Sequence, residues 1–191
     1  YEGPIRRFVF STKETQDIVN KPELKGIAYT EALEEGMVQL LTGFLPHQFD
    51  QLKEEQVNVF HFLRGGLNFG LRNALHRAYG WNLHRASFMS SQRAVDDQGR
   101  WYILEDSYRK ITIGKNSVVF CGDVVATGVT LEHGLQQLTD AIEQQGGSIR
   151  YFIFFAIGCH KAEKILNDYC EIWKKKFPDF QGVDLFYVEG K

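Results

Sequence analysis

From Asn58 onward, short continuous apolar runs alternate with stretches whose apolar residues recur every three or four positions. Runs of the first kind suit strands buried on both faces, and stretches of the second kind suit helices packed on one side. Val59-Phe60-His61-Phe62-Leu63 predicts a core strand that stops at Arg64-Gly65-Gly66. Leu67, Leu71, Ala74, Leu75 and Ala78 then share a helical face ending at Gly80, a residue suited to a left-handed cap. Trp81 to Met89 predicts another strand, followed by a polar stretch from Ser90 to Gly99 with Asp96-Asp97-Gln98-Gly99 as a turn. Trp101 to Leu104 and Ile111 to Ile113 read as short strands.

A second strand, loop and helix follows: strand from Ser117 to Cys121, loop from Gly122 to Gly128, and a helix burying Leu131, Leu135, Leu138 and Ile142 before Gly146-Gly147. Ile149 to Ile157 is a further buried strand, Lys161 to Lys176 a helix with Ala162, Ile165, Leu166, Tyr169 and Trp173 on one face, and Val183 to Val188 a last strand. Alternation of this kind predicts the α/β class, with a doubly wound, mainly parallel sheet flanked by helices. Upstream, Leu33, Met37, Leu40 and Leu41 predict a helix over Glu31 to Phe44, while Tyr1 to Thr30 give no clear pattern. The expected division is an N-terminal extension over residues 1–57 and a core over 58–191, one domain overall.

Composition supports a large core without staples. Fifteen Phe, eight Tyr and three Trp in 191 residues supply the buried surface, and the three cysteines, Cys121, Cys159 and Cys170, form no CxxC pair. Reduced thiols favour the cytoplasm, and the lack of a long apolar run predicts a soluble chain with no membrane contact. A formal charge of -2 provides no overall basic field, which gives nucleic-acid binding little support.

Candidate chemistry concentrates in "VVFCGDVVATGVTLEHGL", Val118 to Leu135. In doubly wound sheets, ligands bind beyond the carboxyl ends of the strands, where amides at a helix start are unpaired. Ala126-Thr127-Gly128-Val129-Thr130 supplies consecutive N–H donors, a turn glycine and two hydroxyls, which suit the terminal oxygens of a phosphate monoester. Asp123, a few residues back, can accept hydrogen bonds from sugar hydroxyls. The alternatives are an ordinary turn capped by Thr127 or Thr130 and an acid that merely favours the helix start. No GxGxxG follows a predicted strand, and the Walker pattern is missing.

The segment "VVFCGDVVATGVT" resembles the phosphoribosyl-pyrophosphate signature of type I phosphoribosyltransferases, which is a hydrophobic strand, two acids, two aliphatics and a small-Thr-Gly-x-Thr loop. The resemblance implies that Asp123 holds ribose hydroxyls, as a catalytic residue, and that Ala126, Thr127, Gly128, Val129 and Thr130 hold the 5-phosphate. It departs at Gly122, where the family carries the first of its two acids. Restoring it as Gly122→Asp is expected to strengthen ribose binding by about 1 kcal/mol. "VFHFLRGGLNFG", Val59 to Gly70, is similar to the family's pyrophosphate loop, which implies that Arg64, Gly65 and Gly66 bind pyrophosphate and that Arg64 takes part in catalysis.

Ser90 to Gly99 falls where the family keeps a mobile loop, making Ser91 and Arg93 candidates for closing over substrate. The implied activity is transfer of ribose 5-phosphate from phosphoribosyl pyrophosphate to a nucleobase or related nitrogen acceptor, with magnesium (Mg2+) bound through the substrate and no metal held directly by protein residues. A homodimer is implied, with residues 1–57 as a hood. Ala126 stands where members acting on 6-oxopurines carry an aspartate, which leans toward adenine. The rival function is a regulatory module of the same fold that binds nucleotide or phosphoribosyl pyrophosphate without turnover, and Gly122 is the residue that favours it.

Other chemistry-bearing residues have plainer explanations. Asp96 and Asp97 suit a solvated turn, and His61 between two phenylalanines suits a satisfied core position. Cys159-His160 with Cys170 lacks metal-site spacing, and Lys174 to Lys176 complements a helix dipole.

Overall fold

A computed structural model describes residues 4–44, 52–63 and 66–190. Its seven-stranded sheet has the order β1-β7-β6-β5-β2-β3-β4. The strands are β1 (Arg6–Phe10), β2 (Val57–Phe62), β3 (Arg85–Val95), β4 (Trp101–Lys110), β5 (Ser117–Val125), β6 (Ile149–Gly158) and β7 (Gly182–Val188). All neighbours pair parallel except β3 and β4, which form an antiparallel arm. The α/β, doubly wound and mainly parallel expectation therefore holds.

Helices cover both faces because the strands are apolar on both. Along β6, Phe152, Phe154 and Ala156 join one core layer, while Tyr151, Ile153 and Phe155 join the other. The first layer is closed by α4 (Val129–Gln145) and α5 (Lys161–Lys176), through residues such as Leu135, Leu138, Leu166 and Trp173. The second is closed by α2 (Ile27–Phe44) and α3 (Leu71–Tyr79), through Leu33, Met37, Leu41, Ala74 and Leu75. Each fully buried phenylalanine contributes roughly 2–3 kcal/mol of transfer free energy. The glycines expected to end α3 and α4 do so: Gly80 and Gly146 cap them with φ of 73° and 61°.

Several sequence expectations need correction. The N-terminal residues do not stand apart as a hood. Strand β1 lies parallel to β7 at the sheet edge, and α1 (Lys13–Asn20) and α2 pack beside the core, with Ile18 and Leu33 in its second layer. Alternating burial on an edge strand is weak in RRFVF, where charge and apolar residues mix.

Strand β5 runs to Val125, so Gly122 and Asp123 lie inside a strand paired on both sides rather than in a loop. Glycine suggested punctuation there, but its lack of a side chain serves packing. Residues 81–84 precede β3 rather than forming its start, and β3 continues through Ser90 to Val95. The stretch expected as a mobile loop is thus a hairpin arm, turning at Asp96, which accepts from the amides of Gln98 and Arg100. Ile111 and Ile113 form no strand and bury their side chains in the first core layer after β4 ends. Helix α3 begins at Leu71, after a 3-10 turn over Gly66–Phe69.

Candidate functional site

Strand parity decides which side chains meet at the carboxyl edge. Cys121, Asp123 and Val125 point to the α4 face of β5, and the chain then bends through Ala126, Thr127 and Gly128 into α4. Gly128 adopts φ 82°, and a Cβ there would lie 2.6 Å from Ile165 Cδ1, so both the turn and the close approach of α5 require glycine. No side chain caps α4. Its first amides are therefore open to a ligand, with the helix dipole favouring an anion.

The turn faces a cleft of about 360 Å³. Asp123, Ala126, Gly128 and Thr130 line it from β5 and α4, and Ser91 and Arg93 line it from the arm. The structure thus brings together six residues that the sequence singled out from separate segments. Thr127 joins them indirectly, since Arg93 Nη1 donates to its Oγ1 at 3.2 Å. The Arg93 guanidinium also sits 5.2 Å from the Trp101 ring centre. Val129 is the first residue of α4 and contributes its position at the helix start rather than a wall.

Two side chains in the cleft are buried at a cost that a ligand could offset. Asp123 is 8% exposed, and burial pushes its carboxyl up to about 6, against the opposing pull of a hydrogen bond from the Val124 amide and the charge of Arg93. The Ser91 hydroxyl is buried without a hydrogen-bond partner among the described residues. Hydroxyl donors on a ligand would stabilise the ionised carboxylate, while its phosphoryl group would meet the guanidinium, hydroxyls and amides. Cys121, behind Asp123 and fully buried, has its thiol pushed up by desolvation and by that carboxylate, and is no nucleophile here.

Gly122 points to the opposite face. A Cβ there would fall 2.7 Å from Phe69 Cγ, because the ring of Phe69, itself fully buried, covers the position. An added aspartate would have to displace a core aromatic, so the gain in ribose binding expected of Gly122→Asp is withdrawn. Sequence reasoning missed Phe69 because it falls off the helical face drawn through Leu67 and Leu71; only the 3-10 turn brings it inward. The apolar walls Phe62, Leu63 and Met89 were also missed as cleft residues, since nothing separates them in sequence from ordinary core positions. Arg64 and Gly65 lie outside the described residues, and Gly66 opens the 3-10 turn.

Among the described residues no helix is long and apolar enough to cross a membrane, and no cluster of three or more His, Cys, Asp or Glu could hold a metal ion.

No family model matches the chain, and no curated protein matches it. Among solved structures it is similar to an adenine phosphoribosyltransferase at 13% identity, covering 85% of this chain and 84% of that one with a TM-score of 0.42. It is also similar to a hypoxanthine-guanine phosphoribosyltransferase from Bacillus anthracis, at 21% identity over 66% and 68% of the two chains with a TM-score of 0.39. A hypoxanthine phosphoribosyltransferase from Staphylococcus aureus shows 15% identity over 64% of each chain with a TM-score of 0.42. At these scores the likenesses add nothing to what the sheet order and the cleft show by themselves.

Proposed function

We propose that the chain is a type I phosphoribosyltransferase, moving ribose 5-phosphate from phosphoribosyl pyrophosphate to a ring nitrogen of a nucleobase and releasing pyrophosphate. The observation that carries this is the opening of the Asp123 carboxylate and the turn from Ala126 to Thr130 onto one cleft. A sugar phosphate presents hydroxyls that suit the carboxylate and a dianion that suits the open amides. In the reaction, the bond from the anomeric carbon to pyrophosphate oxygen breaks with its electron pair leaving on pyrophosphate. A bond to the base nitrogen forms, and the nitrogen's proton passes to solvent.

The chain's own groups act by placement. The open amides of α4 and the Thr127 and Thr130 hydroxyls anchor the 5-phosphate, Arg93 adds charge from the arm, and Asp123 orients the ribose. Anchoring far from the reacting carbon converts binding energy into orientation. Arg64, Gly65 and Gly66 are proposed to hold pyrophosphate. Asp123 is the one carboxylate lining the cleft among the described residues, which fits a magnesium ion carried mainly on substrate oxygens rather than in a protein cage. Such an ion would neutralise charge on the departing pyrophosphate. Ala126, with no ionisable group, favours adenine over 6-oxopurines. A cytoplasmic homodimer belongs to the same proposal, checked by sedimentation and cell fractionation.

One observation favours a second function, a sensor that binds phosphoribosyl pyrophosphate without turnover: Phe69 occupies the place of the family's first acid. Pyrophosphate release, measured with magnesium across adenine, hypoxanthine, guanine, uracil and orotate, separates the two. Turnover with any base supports the transferase. Saturable binding without turnover supports the sensor, and the lack of either overturns both.

A further inference from the structure

Alternation along β2 and β3 sends Phe62 and Met89 into the cleft already described and His61 and Phe88 to the opposite face of the sheet. There a second cavity, of about 460 Å³, is bounded by His61, Arg72, Asn73, His76, His84 and Phe88 among others. Nothing in the proposed transfer reaction uses it. Its wall carries several donors, of which Asn73 Nδ2 already gives to Glu34 at 3.4 Å. His61 is 5% exposed and stacks on Phe88 at 5.1 Å between ring centres, yet neither of its ring nitrogens has a partner among the described residues. His84 is 8% exposed, with Nδ1 likewise unpartnered and Nε2 3.4 Å from Arg72 Nε.

Arg72 makes no ion pair among the described residues, because the acids nearby are engaged elsewhere. Glu34 pairs with Arg77, and Glu54 accepts from the amides of Asn82 and Leu83 at 2.6 and 2.8 Å. Arg72 and Asn73 lie in the first turn of α3, which no side chain caps. Burial, Arg72 and His84 together push His61 down to about 4, so at neutral pH its ring is uncharged and keeps one N–H to donate. Leaving buried donors and acceptors unmade is costly, and an incoming oxyanion would satisfy several at once.

We propose that this cavity is a second anion site, which takes the phosphoryl group of a small phosphorylated ligand between the Arg72 guanidinium and the ring N–H donors of His61 and His84. Donors that converge from β2, from α3 and from the segment before β3 suit a tetrahedral group better than a planar carboxylate. The absence of a metal-holding cluster among the described residues sets this site apart from a histidine metal centre.

The test is a titration of the whole chain, with histidines labelled in the ring nitrogens, against inorganic phosphate and, in a parallel arm, acetate. The expected result is a saturable shift of the His61 and His84 ring signals with phosphate. It should be weakened roughly tenfold in Arg72→Gln and kept in Thr130→Val, which weakens the first cleft. No shift in the wild type overturns the proposal whether or not Arg72→Gln folds. Loss of the shift in Thr130→Val overturns it too, and an equal response to acetate overturns the phosphoryl assignment. Pyrophosphate release is not part of the readout, so failure here leaves the transferase proposal standing.

Discussion

Asp123 pays for its position in the fold before any ligand arrives, since its carboxyl titrates near pH 6 instead of in the usual acidic range. The folded state therefore holds that proton more tightly than the unfolded chain. Its stabilising effect is full below the unfolded pKa of 3.8 and is lost as pH rises through about 6. Asp123→Asn should raise stability at pH 7.5 by about 2–3 kcal/mol relative to wild type, with the difference vanishing near pH 3.5, as measured by urea unfolding at both pH values. An equal difference at the two pH values would mean that the carboxylate is not strained by burial. Gly122 behaves oppositely. Gly122→Ala forces a methyl against the Phe69 ring and should cost about 1–3 kcal/mol in the same assay, with Gly122→Asp costing more and binding no better. Asp123 was legible in the sequence because it stands just upstream of a helix start. The Phe69 contact was not, since it joins residues far apart in the chain through a turn with no signature of its own.

At the scale of elements, the chain's regular periodicity carried most of the information. Helix α5 has the bounds its apolar face predicts, and β6 and β7 begin within a residue of theirs. What escaped was governed by pairing rather than by period. Strand β4 is almost wholly exposed, with Trp101 and Leu104 46% and 59% accessible, and it exists because β3 offers a ladder of hydrogen bonds. An arm held mainly by that ladder should exchange its β4 amides faster than those of β5 by at least about tenfold, measured by hydrogen exchange. Equal protection would show that the arm is as firmly held as the core. Strand β1 is fastened differently. Arg6 makes two hydrogen bonds to the buried Asp184, at 2.7 and 2.9 Å, and a further one to Tyr151. Removing it takes the charged partner from a carboxylate that is 0% exposed and leaves it the Tyr151 hydroxyl at 3.0 Å, so Arg6→Ala should destabilise the fold by roughly 2–4 kcal/mol in thermal or urea unfolding, although the arginine is half exposed. A cost below about 1 kcal/mol would mean that water reaches Asp184 in its place.

On the scale of the whole molecule, one sheet carries two unlike cavities on its opposite faces, where the carboxyl end of β2 meets β3 around Phe88 and Met89. The alternation of strands and helices made the mainly parallel sheet legible, and the rule that ligands sit beyond strand ends pointed to the end of β5, where the first cleft lies. The second cavity lay hidden because His61, flanked by phenylalanines, looks like core until strand parity sends it to the other face. The most direct test of the phosphate-and-ribose cleft is a calorimetric titration of phosphoribosyl pyrophosphate with magnesium into wild type, Asp123→Asn and Thr130→Val. Saturable binding by the wild type, weakened roughly tenfold in each variant, is the predicted result. No binding by the wild type, or the same affinity in all three, would contradict it.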